Sequence, residues 1–445
     1  MTRVTTFDPG PAGLLAELRW RGMFHAASDG LEARLATGRP ITGYNGFDPS
    51  GPWLHIGHLV PIFGLIHLQR HGGRPIAVVG GGTGMIGDPS GTSNERRLLD
   101  RETLEANVAS QRDQLERFLD FSGERGAVMV NNLDWLGPLH LLDWLRDVGK
   151  HFTIPYMLAK DSVTTRLERG LSYTEFSYML IQATDFAHLR QTMGVELQMG
   201  GADQWGNITA GLELIRRQGI GASEQTGSDA ARGSDAGDAA FALAYPLLLA
   251  PSGTKFGKSE GGDTVWLHES QTSPFAFYQH WLNTDDRDVS IYLRWFTTFP
   301  PDEIEGLEAE AAAQPEARAA QRALANDLTA RVHGVDAARE AADVSAAAFS
   351  GGPIEDPRIL AALHGATDGF DFRAVEARAG LVPLLVASGT FASNGEARRM
   401  IAAGGLSVNG VRVADASEPV PTPIAGEWLV IRVGKRRLRV GRQVG

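Results

Sequence analysis

Residues 41–68 read ITGYNGFDPSGPWLHIGHLVPIFGLIHL. A short apolar run ends in the turn formers Gly46, Asp48, Pro49, Ser50, Gly51 and Pro52, after which Leu59, Ile62, Phe63 and Ile66 recur at helical spacing. The pattern predicts a strand, a loop and a helix. RPIAVVGGGTGMIGDPSG follows, a β-branched run closed by glycines, so residues 41–84 predict a β-α-β unit of parallel type. The same rhythm returns twice. AVMVNNLDWLG predicts a buried strand ending in Asn131, Asn132 and Asp134, and VELQMGGADQWGNITAGLELIRR predicts a strand, a glycine turn and an amphipathic helix. The fold class expected is α/β, with a Rossmann-like parallel sheet whose strand ends face a ligand crevice.

Between these strands NERRLLDRETLEANVASQRDQLERFLDF reads as a helix, and so does YTEFSYMLIQATDFAHLRQ. The second is apolar nearly all round except for Tyr178, Gln182 and Asp185 at i, i+4 and i+7, and so narrow a stripe predicts a polar cavity. Residues 12–36 predict one or two amphipathic helices without chemistry. Residues 222–240 are small, polar and of low complexity, which predicts a flexible insertion. Beyond residue 270 the pattern changes. Residues 271–365 are rich in Ala, Glu and Gln at helical spacing and predict an α-helical domain, and 366–380 read as a linker. From 381 to 445 a small α+β module is expected. Ser393 stands three residues before Glu396 as a capping box, Gly404 and Gly405 close that helix, and Asn409-Gly410 turns a hairpin.

Composition narrows the function classes. At 445 residues and 43% hydrophobic content the chain suffices for two or three domains. With no cysteine, disulfides, thiolate metal sites and cysteine nucleophiles are excluded, and any metal used would be oxygen-bound. No apolar run approaches about 18 residues and no leader pattern opens the chain, so a cytoplasmic protein without membrane spans is expected. The net charge of -11 is unevenly spread. Residues 381–445 hold nine Lys or Arg against four Asp or Glu, leaving the acidic excess on residues 1–380. Arg398 and Arg399 on the predicted helix, with Arg432, Lys435, Arg436, Arg437, Arg439 and Arg442 in the tail, make a phosphate-directed surface, so RNA binding is expected there.

Three stretches carry candidate chemistry. His55 and His58 share one side of a first helical turn, where free backbone N–H groups already favour phosphate. Gly82, Gly84 and Gly87 match the dinucleotide pattern after a strand, yet Glu102, the acid about 20 residues on, falls in a helix, so a dehydrogenase is rejected. Those glycines instead let backbone approach a ligand, with Asp88 at the turn. Residues 252–262 predict a mobile, glycine-flanked loop that brings Lys255 and Lys258 over a polyphosphate. Asp203, at the second glycine turn, is placed to accept from a ribose diol.

Taken together, HIGH at 55–58 after YNGFD at 44–48, and KFGKS at 255–259, resemble the two signatures of class I aminoacyl-tRNA synthetases. GDPSG at 87–91, TEFSYM at 174–179, GGADQWGNITAGLELIR at 200–216 and SPFAFYQHWLNTDDRD at 273–288 are more closely similar to bacterial tyrosyl-tRNA synthetases, over nearly the whole chain. The resemblance implies a catalytic domain over 1–270, an anticodon-region helical domain over 271–365 and an S4-like RNA-binding domain over 381–445. It implies that L-tyrosine and ATP, accompanied by Mg2+, give tyrosyl-adenylate, and that the tyrosyl group passes to tRNA(Tyr) in a homodimer.

By resemblance His55, His58, Lys255, Lys258 and Ser259 act on the ATP phosphates and leaving pyrophosphate. Tyr44 and Asp185 take the substrate phenol, while Asp88, Tyr178 and Gln182 take its ammonium group. Asn132 and Gln204 line the site, and Gly46, Asp48, Gly57, Gly201 and Asp203 complete the ATP subsite. Two departures stand out. Asn45 occupies a position where cysteine is common, and Thr92 one where a basic residue is common, leaving Arg96 as that loop's cation. Three other readings compete: a small-molecule adenylyltransferase, disfavoured by the basic module; a tryptophanyl synthetase, disfavoured by Tyr44 and Asp185; and a non-catalytic RNA-binding protein, disfavoured by the intact histidines and lysines.

Overall fold

The computed structural model describes residues 7–88, 100–160, 163–164, 170–220, 240–248, 256, 264–349, 353–366, 369–434 and 437–444. Six strands make the first sheet: β1 Ala26–Ala27, β2 Thr42–Phe47, β3 Arg74–Val79, β4 Val128–Asn131, β5 Leu197–Gly201 and β6 Phe241–Tyr245. Their order is β1-β6-β5-β2-β3-β4, with every pairing parallel except that of the short edge strand β1. β2 and β3 join through the helix Leu59–Arg70, as the hydrophobic pattern predicts. β4 differs from expectation. It lies at the edge opposite β1, so its four residues are only half-buried.

The predicted helices form as Arg101–Leu115, Tyr173–Met193 and Trp205–Gln218. Ser172 and Glu175 cap the second of them reciprocally, and Gly194 ends it in a left-handed conformation. Its buried side packs with Tyr44, Ile76 and Val78 of the sheet and with Leu214 of the helix that follows β5.

The chain divides into two compact units, one of residues 1–268 with 284–320, the other of 269–283 with 321–445. The expected helical stretch 271–365 is therefore shared between them. In the first unit the reason is a buried guanidinium: Arg21 donates to the carbonyl oxygens of Arg294, Thr297 and Phe299 at 2.8–3.0 Å. In the second unit the helices and the C-terminal sheet share a core, with Val344, Ala348, Leu360 and Leu363 against Trp428, Val430 and Val440.

That second sheet runs in the order β7-β11-β10-β8-β9, formed by β7 Phe370–Phe372, β8 Leu406–Val408, β9 Val411–Arg412, β10 Trp428–Val433 and β11 Arg437–Gln443. The stretch 366–380, expected as a linker, supplies β7 and the short helix Ala374–Arg378, because Phe370 and Phe372 bury into the sheet's core. Ser393 caps the helix Asn394–Ala402, and Asn409 and Gly410, both with positive φ, turn the β8-β9 hairpin as the sequence predicts. Among the described residues no helix is long and apolar enough to cross a membrane.

Candidate active site

The carboxyl ends of β2, β3 and β5 open on a cavity of about 420 Å³. Six residues of the stripe and its expected partners line it: Tyr44, Asp88, Asn132, Tyr178, Gln182 and Asp185. Gly46 and Gly201 reach it from the ends of β2 and β5, Asp203 and Gln204 from the turn after β5, and Asp48, Gly57 and His58 from the first crossover. Residues more than 100 positions apart in sequence thus share one crevice, where open parallel sheets bind ligands.

One end of the cavity is built around a buried carboxylate. Asp185 accepts from the amide of Asn132 at 2.9 Å and from the indole N–H of Trp135 at 2.8 Å. Burial nevertheless pushes its pKa up to about 7; the two hydrogen bonds oppose that rise and the charge of Asp48 adds to it. Asn132 also accepts from Gly82 N–H at 2.7 Å and donates to Thr83 Oγ1 at 3.0 Å, so it ties the glycine turn after β3 to the carboxylate. Tyr44 is 2% exposed, its ring held edge-on to Phe186 at 5.6 Å. Its hydroxyl has no partner, and burial together with Asp185 holds the phenol protonated far above its ordinary range. Gln182 Oε1 and Gln198 Oε1 are likewise buried and unpartnered on the same cavity. Orphaned buried groups cost free energy, and three on one cavity define a polar ligand's place.

Deeper toward β5, Gln204 Nε2 donates to Asp88 at 2.6 Å and its own oxygen accepts from Asn207 at 3.2 Å. The Asp203 carboxyl is raised by burial and by the neighbouring Asp88 charge. An acidic pair of this kind attracts an ammonium group or a diol's donors.

His55 caps a short turn, Ile56–His58, that runs into the helix Leu59–Arg70. Its Nδ1 accepts from Gly57 N–H at 3.0 Å, while His58 Nδ1 accepts from His55 N–H at 3.1 Å. The spent Nδ1 of His55 puts its proton on Nε2, making that ring a neutral donor, whereas His58 Nδ1 also lies 3.3 Å from His55 O, so either His58 tautomer finds a backbone partner. Burial lowers the His55 pKa, and burial with the adjacent His55 lowers that of His58 to about 3. Gly57 makes the fold-over possible, since a Cβ there would stand 2.7 Å from His55 Cε1. Only His58 of the pair lines the cavity.

Lys255, Lys258, Ser259, Thr92, Arg96, Lys435 and Arg436 lie outside the described residues, as does nearly all of the 222–240 insertion. Phe256, between the lysines, is described. It lines the cavity and stacks on Phe296 at 5.2 Å. Asn45 also lines the cavity, its amide donating to Pro61 O at 2.9 Å and Tyr245 Oη at 3.3 Å.

Sequence reasoning missed Trp135, Thr83 and Gln198. Only Gln198 left a signal: a glutamine between Leu197 and Met199 in an otherwise apolar strand. In the second unit Arg398 and Arg399 are exposed, whereas Arg437, exposed too, donates to Thr390 O at 3.0 Å. Arg439 requires a correction. It is 7% exposed, donates to Ser388 O at 2.7 Å and Thr390 Oγ1 at 3.1 Å, and lies over the Phe370 ring, because its β11 position points into the module. Arg439→Ala is expected to cost about 2–3 kcal/mol of stability, read by thermal unfolding, whereas Arg398→Ala leaves the melting temperature unchanged.

A family model described as tRNA synthetases class I (W and Y) matches residues 36–350. The parallel sheet and its crevice are those of that class. A second, the tyrosine-tRNA ligase SYY-like C-terminal domain, matches residues 365–440. A tyrosine-tRNA ligase of Anaeromyxobacter dehalogenans is 49% identical over 95% of this chain and 97% of its own length, and one of Geobacillus stearothermophilus is 47% identical over 95% and 98%. Among solved structures, a C-terminally truncated mitochondrial tyrosyl-tRNA synthetase of Aspergillus nidulans gives a TM-score of 0.67 at 30% identity, covering 76% of this chain and 94% of that one. The chain belongs to the tyrosine-tRNA ligase family.

Proposed function

We propose that the cavity activates L-tyrosine with ATP and hands the tyrosyl group to the 3'-terminal adenosine of tRNA(Tyr). The tyrosine carboxylate attacks the α-phosphorus, the bond to the β-phosphate breaks, and pyrophosphate leaves; a ribose hydroxyl then attacks the carbonyl and AMP leaves. The observation that carries the choice of tyrosine is the unpartnered Tyr44 hydroxyl near Asp185. A substrate phenol donates to Asp185 and accepts from Tyr44, satisfying both, which an indole N–H, a donor only, does not.

Asp88, Tyr178 and Gln182 bind the ammonium group, with Gln204 and Asn132 holding the carboxylates in place. Asp203 and Gly201 bind the ribose. His58 donates to the ATP phosphates through Nε2, supported by His55 with Gly46, Asp48 and Gly57 around it, and Lys255, Lys258 and Ser259 stabilise departing pyrophosphate. Such displacement asks chiefly for positioning and charge stabilisation. Mg2+ would accompany ATP and neutralise phosphate charge there, with no residue of this chain assigned to hold it. The reading is tested by amino-acid-dependent exchange of labelled pyrophosphate into ATP, with each of the twenty amino acids and no tRNA. Exchange with tyrosine alone is expected; exchange with tryptophan would overturn the phenol site.

The enzyme works in the cytoplasm as a homodimer, with the helical residues 271–365 toward the anticodon region and Arg398, Arg399, Arg436 and Arg437 on tRNA phosphates. Support for the dimer comes from Leu139, Leu141, Leu142, Leu145, Ile154 and Leu158, large apolar side chains left 38–79% exposed within twenty residues. Leu142→Glu is therefore expected to convert the dimer to monomer by light scattering; an unchanged mass would place the interface elsewhere.

A further inference from the structure

Two short segments run side by side at the rim of the cavity. Ile56 N–H donates to Val265 O at 3.0 Å, Leu267 N–H donates to Leu54 O at 2.8 Å, and His55 bridges to Trp266. Their side chains alternate. Leu54, Ile56, Val265 and Leu267 are buried, while Trp53, His55, Trp266 and His268 all stand half-buried on the opposite side. Within 53–56 and 265–268 each of the four outward positions therefore carries a ring.

These rings form a continuous row. From the cavity outward, His58 and His55 have centroids 4.1 Å apart, His55 and Trp266 6.0 Å, Trp266 and Trp53 6.2 Å, and Trp53 and His268 6.4 Å. Of the row, His58 alone lines the cavity. The others stand outside the space that takes amino acid and nucleotide, yet in ring contact with the histidine that serves it. The apolar neighbours already supply the packing, so core burial does not account for two tryptophans here.

We propose that this face, centred on Trp53, is a stacking platform for an unpaired base at the 3' end of the tRNA. The proposal rests on the ligase reading of the site, in which the terminal adenosine must reach His58 and the bases before it must cross the rim. Aromatic faces hold unpaired bases without regard to sequence, because every base offers a π-face. Trp53 is the outermost indole and the ring best placed to meet such a base before it enters.

The test compares wild type, Trp53→Ala and Trp53→Phe in three measurements: tyrosine-dependent pyrophosphate exchange without tRNA, tyrosyl transfer to intact tRNA(Tyr), and binding of tRNA(Tyr) trimmed of its unpaired 3' end. Exchange should stay within about twofold of wild type. Trp53→Ala should raise KM for intact tRNA about tenfold, the size of one base-aromatic stack, and Trp53→Phe should recover most of it. All three proteins should bind trimmed tRNA alike. An equal loss for intact and trimmed tRNA, an unchanged KM in Trp53→Ala, or a fall in exchange that matches the fall in transfer would each overturn the platform. Absence of tyrosine exchange in wild type would instead overturn the ligase reading beneath it.

Discussion

Asp185→Ala is expected to lower kcat/KM for tyrosine activation by about 10²–10⁴-fold and to remove the preference for tyrosine over phenylalanine. Truncation takes away the proposed acceptor for the substrate phenol and leaves two donors without their partner, one N–H of the buried Asn132 amide and the half-buried Trp135 indole. A lost charge-assisted hydrogen bond with two unpaired donors amounts to about 3–5 kcal/mol. Sites that hydrogen-bond a substrate hydroxyl reject the analogue lacking it by about 10⁴–10⁵-fold, a magnitude for which tyrosyl-tRNA synthetases are themselves the standard example. Pyrophosphate exchange with each amino acid reads both effects, and near-normal tyrosine activation by the variant would sink the assignment. The pH dependence has a definite sign. Between the ordinary carboxyl value of 3.8 and about 7 the folded protein keeps a proton that the unfolded chain has released, so the unliganded fold loses stability as pH rises through that window. Asp185→Asn should flatten this slope, measured by thermal unfolding from pH 4 to 8.

His58→Ala is expected to slow tyrosyl-adenylate formation about 10²–10³-fold while changing the dissociation constant for tyrosine little, because one preorganised donor is lost from the phosphate end and none from the phenol end. Pre-steady-state formation of the adenylate, with tyrosine binding measured separately, checks it; a large loss of tyrosine affinity would show that the ring supports the cavity rather than the reaction. With the His58 pKa depressed to about 3, the step should show no titration of this imidazole near 6.5. For stability the sign is opposite to that of Asp185. Between about pH 3 and 6.5 the unfolded chain holds a proton on this imidazole that the folded chain does not, so this contribution grows as pH rises to 6.5.

The opposite slopes show what linear sequence withholds. Asp185 and His58 were both visible as candidates, one from a polar stripe on an apolar helix and the other from two histidines at a helical turn. Their protonation was not, since it depends on burial by residues far away in the chain. The neutral His55 Nε2 donor arises because the Gly57 amide occupies its Nδ1 atom, a geometry fixed only when the turn closes on Gly57. Trp135 left no signal, as an indole in a short helix reads as packing until its N–H is seen on Asp185. Arg439 erred the other way. It belongs by composition to a basic tail, but strand alternation turns it into the module.

By itself the sequence determined the parallel β-α-β frame, the crevice-facing strand ends, the stripe of Tyr178, Gln182 and Asp185, and the capped helix and hairpin of the C-terminal module. Each is a local matter of period, turn chemistry and capping, which neighbours in the chain decide among themselves. Tertiary structure alone decided which groups remain unpartnered in the cavity, which of the tail arginines is buried, and that residues 284–320 pack with the first unit while 321–445 pack together in the second. Burial and hydrogen-bond satisfaction are set by contacts between distant segments, and no window of sequence contains both partners.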